Sequence, residues 1–485
     1  MKALSGVDGA FLHLETQETP MHVASLHRFD LPRGYRGDFH TNLKRQIAAR
    51  LHLAPIFTRK LAPMPLQFAN PVWIEEDEVD LGYHVPRVSL PSPGTQRQFE
   101  DCAARLHSEL LDRGHPLWRV YVIDGLQMGQ VGLYIKVHHA VLDGLAGVAL
   151  AKVLFDVEPQ PPRIRRRAQP PAEHPSMIQL AAAALKHDAG QYFKLLRSLP
   201  DAVRTVVSTV GSQATRVGGG TRSRLGKNFS FGPKTPLNVP ITGERGFAAV
   251  SVPLETLKQV AIAHDAKVND VVLAMCSGAL RRYLAHHGGI PRKPLIATMP
   301  ISLRAAGNAE YTTQAMLTLV NLSTHIADPL KRLHAIRDAA GAMKALVHDA
   351  RGVITTDFPS IGVPWLLQGL AKLYGRSGIA GAIPPIANVV ISNVPGPQVP
   401  LYAAGARMAT YWPVSITEHG VGLNITVLSY DGAMGFGFTT AHSAVPDARE
   451  LSTALEAAIA EIVTKGRSKA ARKKPLRAAA SSPSG

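Results

Sequence analysis

The sequence predicts an α/β or α+β protein of two domains, and three observations carry that reading. The chain has 485 residues, 46% of them hydrophobic, which suits two or three domains of roughly 100 to 200 residues, each with a core of its own. A proline- and arginine-rich stretch, PQPPRIRRRAQPPAEHP at 159–175, can be neither helix nor central strand and reads as a linker. Helical and strand periodicities occur on both sides of it. The expected organisation is a first domain at 1–158, a basic linker with amphipathic helical pieces at 159–237, a second domain at 238–464, and a basic, disordered tail at 465–485.

In the first domain, Phe99, Cys102, Leu106 and Leu110 recur at helical spacing, which makes Cys102 a core residue. Two apolar runs follow, RVYVID and VGLYIKV, separated by GLQMGQ, and predict a hairpin. The second run ends at His138 and His139, after which Leu145, Val148, Leu150 and Leu154 return to helical spacing. In the second domain, Val271, Val272, Met275, Ala279, Leu280 and Tyr283 outline a helix face that also carries Cys276. The runs NVVIS, VGLNITVLS and MGFGFTT predict strands, the last two joined through Asp431-Gly432.

Composition excludes several functions. The two cysteines have neither CxxC nor Cys/His spacing, so a disulfide framework and structural zinc are not indicated, and a reducing, cytoplasmic setting fits. Asp8, His13 and Glu15 fall where the apolar core of a secretion signal would run. No uncharged apolar stretch reaches the roughly 18 residues of a membrane span. The formal net charge of +17 is confined to two places: residues 160–237 hold 13 Lys/Arg against three acids, and residues 465–485 hold seven against none. Everything else balances. Such segments either keep the protein solvated or draw it to an anionic lipid surface, at about 1 kcal/mol per basic residue near the membrane. Nucleic acid ranks behind both, because no helix-turn-helix, zinc-finger or RNP-type pattern accompanies the charge.

The stretch that carries chemistry is His138-His139-Ala140-Val141-Leu142-Asp143-Gly144. A histidine, with an unperturbed pKa of about 6.5, is neutral at pH 7 and still able to take a proton in a transition state. A metal site would need a third ligand at suitable spacing, and HExxH and its relatives are absent. Taken alone, two histidines in a turn with Asp143 as a helix cap would explain the residues equally well.

The HHxxxDG motif resembles that of the CoA-dependent acyltransferase superfamily, which includes chloramphenicol acetyltransferase and the condensation domains of peptide synthetases. Within it the chain resembles the bacterial wax ester synthase/acyl-CoA:diacylglycerol acyltransferase family along nearly its whole length. LSGVDGAFLHLE and TPMHV open the chain; PLW at 116–118, KVHHAVLDGLAG at 136–147, VNDVVL at 268–273, ISNVPGP at 391–397 and GLNITVLSYDG follow in order. The resemblance implies two chloramphenicol-acetyltransferase-like domains, each a mixed sheet with helices, and an active site at their interface. It implies transfer of a long-chain acyl group from acyl-CoA, which is a substrate and not a cofactor, to diacylglycerol or a long-chain alcohol. It implies His139 as general base, with direct transfer and no acyl-enzyme.

Other positions take expected roles from the same resemblance. His138 shapes the loop, Asp143 holds it, and Gly144 permits a tight turn; Arg304 is the candidate partner for Asp143. Asn269 is either an oxyanion donor or an ordinary helix N-cap, and Asp270 is either part of that motif or a first-turn acid. Pro116, Leu117 and Trp118 either border the acyl path or form a rigid turn around a buried aromatic. Ser392, Asn393, Pro395 and Gly396 form a turn that the resemblance places beside the channel. Competing readings are a condensation-domain-like transferase and a non-catalytic protein of lipid-body surfaces. The expected location is cytoplasmic, peripheral to a membrane or lipid inclusion.

Overall fold

The computed structural model describes residues 2–4, 6–62, 69–141, 146–161, 231–302, 315–350 and 384–473, with isolated positions between 164 and 186. The first half runs β1 (Lys2–Ala3), α1 (Gly6–Leu14), β2 (His22–Asp30), α2 (Phe39–Arg50), β3 (Arg59–Ala62), β4 (Val72–Glu75), α3 (Leu81–His84), β5 (Arg87–Ser89), α4 (Gln96–Ser108), β6 (Trp118–Asp124), β7 (Val131–His138) and α5 (Ala146–Leu154). The second half runs β8 (Arg245–Pro253), α6 (Leu254–Ala263), α7 (Val268–His286), β9 (Ile296–Ser302), β10 (Ala315–Asn321), α8 (Pro329–Ala350), β11 (Val389–Val394), β12 (Tyr402–Ala403), β13 (Ala406–Val414), β14 (Leu423–Tyr430), β15 (Ala433–Ala441) and α9 (Arg449–Lys473).

Strand pairing gives two mixed six-stranded sheets, β12-β13-β2-β7-β6-β5 and β10-β9-β11-β14-β15-β8, and a small sheet β1-β4-β3. All eight residues of β7 are buried, as expected of a central strand covered on both faces. It pairs antiparallel with β6 in the expected hairpin and with β2 on its other edge. Helix α4 lies over this sheet and starts in a reciprocal cap: Gln98 N–H donates to Thr95 Oγ1 at 3.2 Å and Thr95 N–H to Gln98 Oε1 at 2.7 Å. Its other end is closed by the buried Lys136, whose Nζ donates to the carbonyls of Leu106 at 2.7 Å and Glu109 at 2.6 Å. Cys102 is a core residue of this helix, and burial pushes its thiol pKa up.

Helix α7 is buried nearly all round, because sheet residues such as Ile425 and Phe436 and helix residues such as Leu333 and Leu455 share its core. Cys276 belongs to that core, its thiol raised to about 12 by burial.

Two boundaries differ from the expected ones. Residues 402–414, assigned by sequence to the second domain, form β12 and β13 and pair with β2 in the first sheet. The crossing is permitted by Gly435 and Gly437 of β15, where any Cβ would collide with the carbonyls of Tyr411 and Pro413 of β13. The expected break before the tail is also absent: α9 continues through Lys473, since KGRSKAARK lacks proline and consists largely of good helix formers. Residues 474–485 and nearly all of the linker up to residue 230 lie outside the described residues, and so do the amphipathic pieces expected there. Among the described residues, no helix is long and apolar enough to cross a membrane.

Candidate active site

The β2–β7 register sets His22 directly opposite His138 at the end of the central strand. There the His138 N–H donates to the Leu117 carbonyl at 3.0 Å, the chain leaves the sheet, and His139–Val141 form one 3-10 turn. On the other side, α1 ends in a turn closed by paired backbone bonds between Thr16 and Thr19, which folds Glu15 back under both histidines. Glu15 Oε2 lies 3.2 Å from His22 Nε2 and 3.2 Å from His138 Nε2, and accepts the Met21 N–H at 3.1 Å. Arg113 donates to Glu15 Oε1 at 2.9 Å and to the Leu12 carbonyl at 2.6 Å. Burial works to raise the Glu15 pKa, but the His138 and His22 rings beside it outweigh that and hold the carboxyl well below the usual range.

His138 is fully buried, and its Nδ1 accepts the Ala140 N–H at 3.1 Å. That bond fixes the tautomer: Nδ1 is bare, so Nε2 carries the proton and faces the Glu15 carboxylate. His139 is half-buried. Its backbone N–H donates to the Met21 carbonyl at 2.8 Å, and its ring stacks on Phe11 with centroids 3.9 Å apart. Among the described residues, Nδ1 is buried without a hydrogen-bond partner. Burial, with the neighbouring His138 adding to it, lowers the His139 pKa to about 4. The ring is neutral at pH 7.

Glu15, His22 and His138 bring three ligand-type atoms within 4.8 Å of one another. Their protons do not suit a metal. A ligating histidine donates its second ring N–H, whereas His138 Nδ1 accepts one, and His22 Nε2 is occupied by the Leu111 N–H at 3.3 Å. Arg113 beside the carboxylate and Lys136, whose charge acts on His22, further disfavour a cation.

The other sequence-predicted positions divide into three groups. Asp143, Gly144 and Arg304 lie outside the described residues. Pro116, Leu117 and Trp118 are buried, the last two completely. Trp118 stacks on His84 with centroids 4.2 Å apart and donates from Nε1 to the Phe57 carbonyl at 3.2 Å. These contacts make a rigid turn around a buried aromatic. Leu117 meets the site through its carbonyl, which holds the end of β7.

Asn269 is not the N-cap: Lys267 occupies that position, and Asp270 caps it by accepting the Lys267 N–H at 2.8 Å. This frees the Asn269 side chain, whose Oδ1 accepts from Asn393 Nδ2 at 3.2 Å. The two motifs expected beside the channel therefore meet each other. Ser392 and Asn393 end β11 half-buried, Pro395 is exposed, and the Gly396 N–H donates to Ser429 Oγ at 3.1 Å, in a place where a Cβ would strike the Ser429 carbonyl.

Sequence reasoning assigned no role to Phe11, Glu15, His22 or Arg113. The first three stand inside LSGVDGAFLHLE and TPMHV, so their motifs were visible, but which of their side chains face His138 and His139 depends on cross-strand register. Beside this cluster, the two halves join. Arg245 of β8 donates to the Glu18 carbonyl in the turn after α1, and His107 Nε2 lies 2.9 Å from the Ser415 carbonyl. A cleft of about 860 Å³ opens at this seam, lined from both halves by Glu18, Arg105, Ser108, Arg245, Phe247 and Arg449 among others.

Two mixed six-stranded sheets joined along a seam define a chain of the condensation-domain and chloramphenicol-acetyltransferase fold. The first condensation domain of the calcium-dependent antibiotic synthetase superposes with a TM-score of 0.53 over 96% of each chain, at 13% identity, which is a likeness of fold. The particular family follows from closer matches. Residues 4–272 match the wax ester synthase/diacylglycerol acyltransferase catalytic domain, and residues 313–463 match the C-terminal domain of the same family. The chain belongs to the wax ester synthase/diacylglycerol acyltransferase family.

Its relatives agree. The wax ester synthase/diacylglycerol acyltransferase from Marinobacter aquaeolei VT8 has a TM-score of 0.68 and 29% identity, covering 96% of this chain and all of that one. A Mycobacterium tuberculosis protein named "Probable diacyglycerol O-acyltransferase tgs2" is 33% identical over 464 residues, 94% of this chain and 97% of its own. A second protein of that organism, provisionally named for the same activity, is 34% identical over 460 residues, 95% of this chain and 99% of its own.

Proposed function

We propose that this chain transfers a long-chain acyl group from acyl-CoA to the hydroxyl of diacylglycerol, of a long-chain alcohol, or of both, with His139 as general base. The observation that carries the reading is the state of His139: a neutral, half-buried ring stacked on Phe11 at the end of β7. Family membership and the names of the relatives supply the substrate class.

The acceptor oxygen attacks the thioester carbonyl carbon while its proton passes to His139 Nε2. The resulting tetrahedral centre collapses, the C–S bond breaks, and the thiolate of CoA takes the proton back from the imidazolium. The products are an ester and free CoA thiol, and His139 returns to its starting form. A positioned base of this kind contributes about 100-fold to 10,000-fold. Both cysteines are buried with raised pKa values, which speaks against either as a nucleophile. Asn269, tied to Asn393, is the proposed side chain near the oxyanion, and Asp143, Gly144 and Arg304 remain proposed supports of the loop.

Both substrates partition into membranes, which gives the basic linker and tail a role in holding a cytoplasmic protein at an anionic lipid surface. Co-sedimentation with anionic vesicles should therefore fall as salt rises; binding that ignores salt would remove that role. For the reaction, thiol release from palmitoyl-CoA should require an acceptor, diacylglycerol or hexadecanol. A stoichiometric burst of thiol without acceptor would contradict direct transfer.

A further inference from the structure

We propose that Glu15 is a positioning residue for His139. Its carboxylate keeps the proton of His138 on Nε2, so that the bare Nδ1 accepts the Ala140 N–H and fixes the backbone on both sides of the base. This inference rests on the reading of His139 as the base, but its structural half stands without it.

Two routes lead from Glu15 to His139. Along the first, Oε2 lies 3.2 Å from His138 Nε2, and His138 Nδ1 accepts the N–H of Ala140, the residue after His139, at 3.1 Å. The bond spans His139 and needs a bare Nδ1; which ring nitrogen holds the proton is set by what the other one faces. A full negative charge beside Nε2 favours the required tautomer. The contact is close but not aligned as a hydrogen bond, a looseness common at catalytic groups before substrate binds. Along the second route, the same Oε2 accepts the Met21 N–H at 3.1 Å, and the Met21 carbonyl accepts the His139 N–H at 2.8 Å. One carboxylate oxygen thus governs the residue before the base, the residue after it, and the peptide group that holds it.

Glu15 is itself fixed. Its side chain is 3% exposed, Arg113 holds the other oxygen, and the turn after α1 is locked by the Thr16–Thr19 bonds. Among the described residues, the other titratable groups around the cluster include His22, His107 and Lys136. His22 and His107 are held neutral at pH 7 by burial, and Lys136 is engaged with the end of α4. Among the described residues, Glu15 is accordingly the negative charge that faces His138.

The test uses the full-length protein and three readouts: thermal melting, kcat and KM for acceptor-dependent thiol release, and nitrogen NMR of ring-labelled histidines, with His138 assigned from a His138→Gln variant. In the native protein the His138 ring should carry its proton on Nε2. Glu15→Ala should turn this into a mixture of tautomers and lower kcat by about 100-fold with KM little changed, the cost typical of a misplaced reacting group. Glu15→Gln keeps an oxygen facing Nε2 and should recover most of both. A native protein with the His138 proton on Nδ1 would overturn the proposal outright, whatever the variants do. So would a folded Glu15→Ala variant with native kcat or an unchanged tautomer, or a Glu15→Gln variant no better than Glu15→Ala. The tautomer measurement needs no turnover, so failure of the acyltransfer reading and failure of this proposal are distinguishable.

Discussion

A histidine base works only while its ring is neutral, and for His139, the proposed base, burial extends that range downward to a pKa of about 4. Because the folded value lies below the usual 6.5, the base form persists through mildly acidic solution and is lost as pH falls through about 4. The acid limb of kcat/KM for acceptor-dependent thiol release should therefore fall near pH 4; an inflection near 6.5 would show that substrate meets a solvated ring. The pair His138-His139 was legible in the sequence because adjacent histidines at the end of an apolar run mark a strand terminus. The division of labour between them was legible only in outline. That His138 is a buried acceptor for Ala140, and that Phe11 backs the ring of His139, depend on how α1 folds over the end of β7.

At the scale of elements, apolar periodicity predicted the β6–β7 hairpin, the β14–β15 hairpin through Asp431-Gly432, α4 and α7, and all are present. It could not place β13. A strand's alternation shows which face is buried but not which sheet it joins, so ARMATYWPV reads with its sequence neighbours although its partner is β2. The signal for the crossing was MGFGFTT: two glycines two apart share one face of β15, and the backbone of β13 passes over that face. Gly437→Ala would push a methyl group into the Pro413 carbonyl. A loss of about 1–3 kcal/mol, the usual cost of overpacking a tight contact, should appear as a lower midpoint in denaturant unfolding; an unchanged midpoint would mean that the two sheets are not in such close contact. Helix α9 runs on into the basic segment as far as Lys473, because alanine, lysine and arginine are good helix formers even in low-complexity sequence.

The two sheets are fastened to each other along a seam. Helix α4 of the first half holds β8 of the second: Glu100 Oε1 accepts the Ala249 N–H at 3.0 Å, and Ser108 Oγ accepts the Arg245 N–H at 3.2 Å. From the crossing strand β13, Trp412 Nε1 donates to Ser251 Oγ at 2.9 Å. The junction is one that neither half builds alone, in a family whose relatives are named for ester synthesis. The overall organisation was legible in the sequence because its motifs run in family order along the chain. The seam was not, since it is made of residues such as Glu100, Arg245 and Trp412 that carry no motif. The account turns on His139, and its most direct test is acceptor-dependent thiol release from palmitoyl-CoA by the native protein and by His139→Ala at matched thermal stability. The expected result is a loss of at least about 100-fold in kcat. A stable His139→Ala protein that turns over at the native rate would contradict the assignment of His139 as the base.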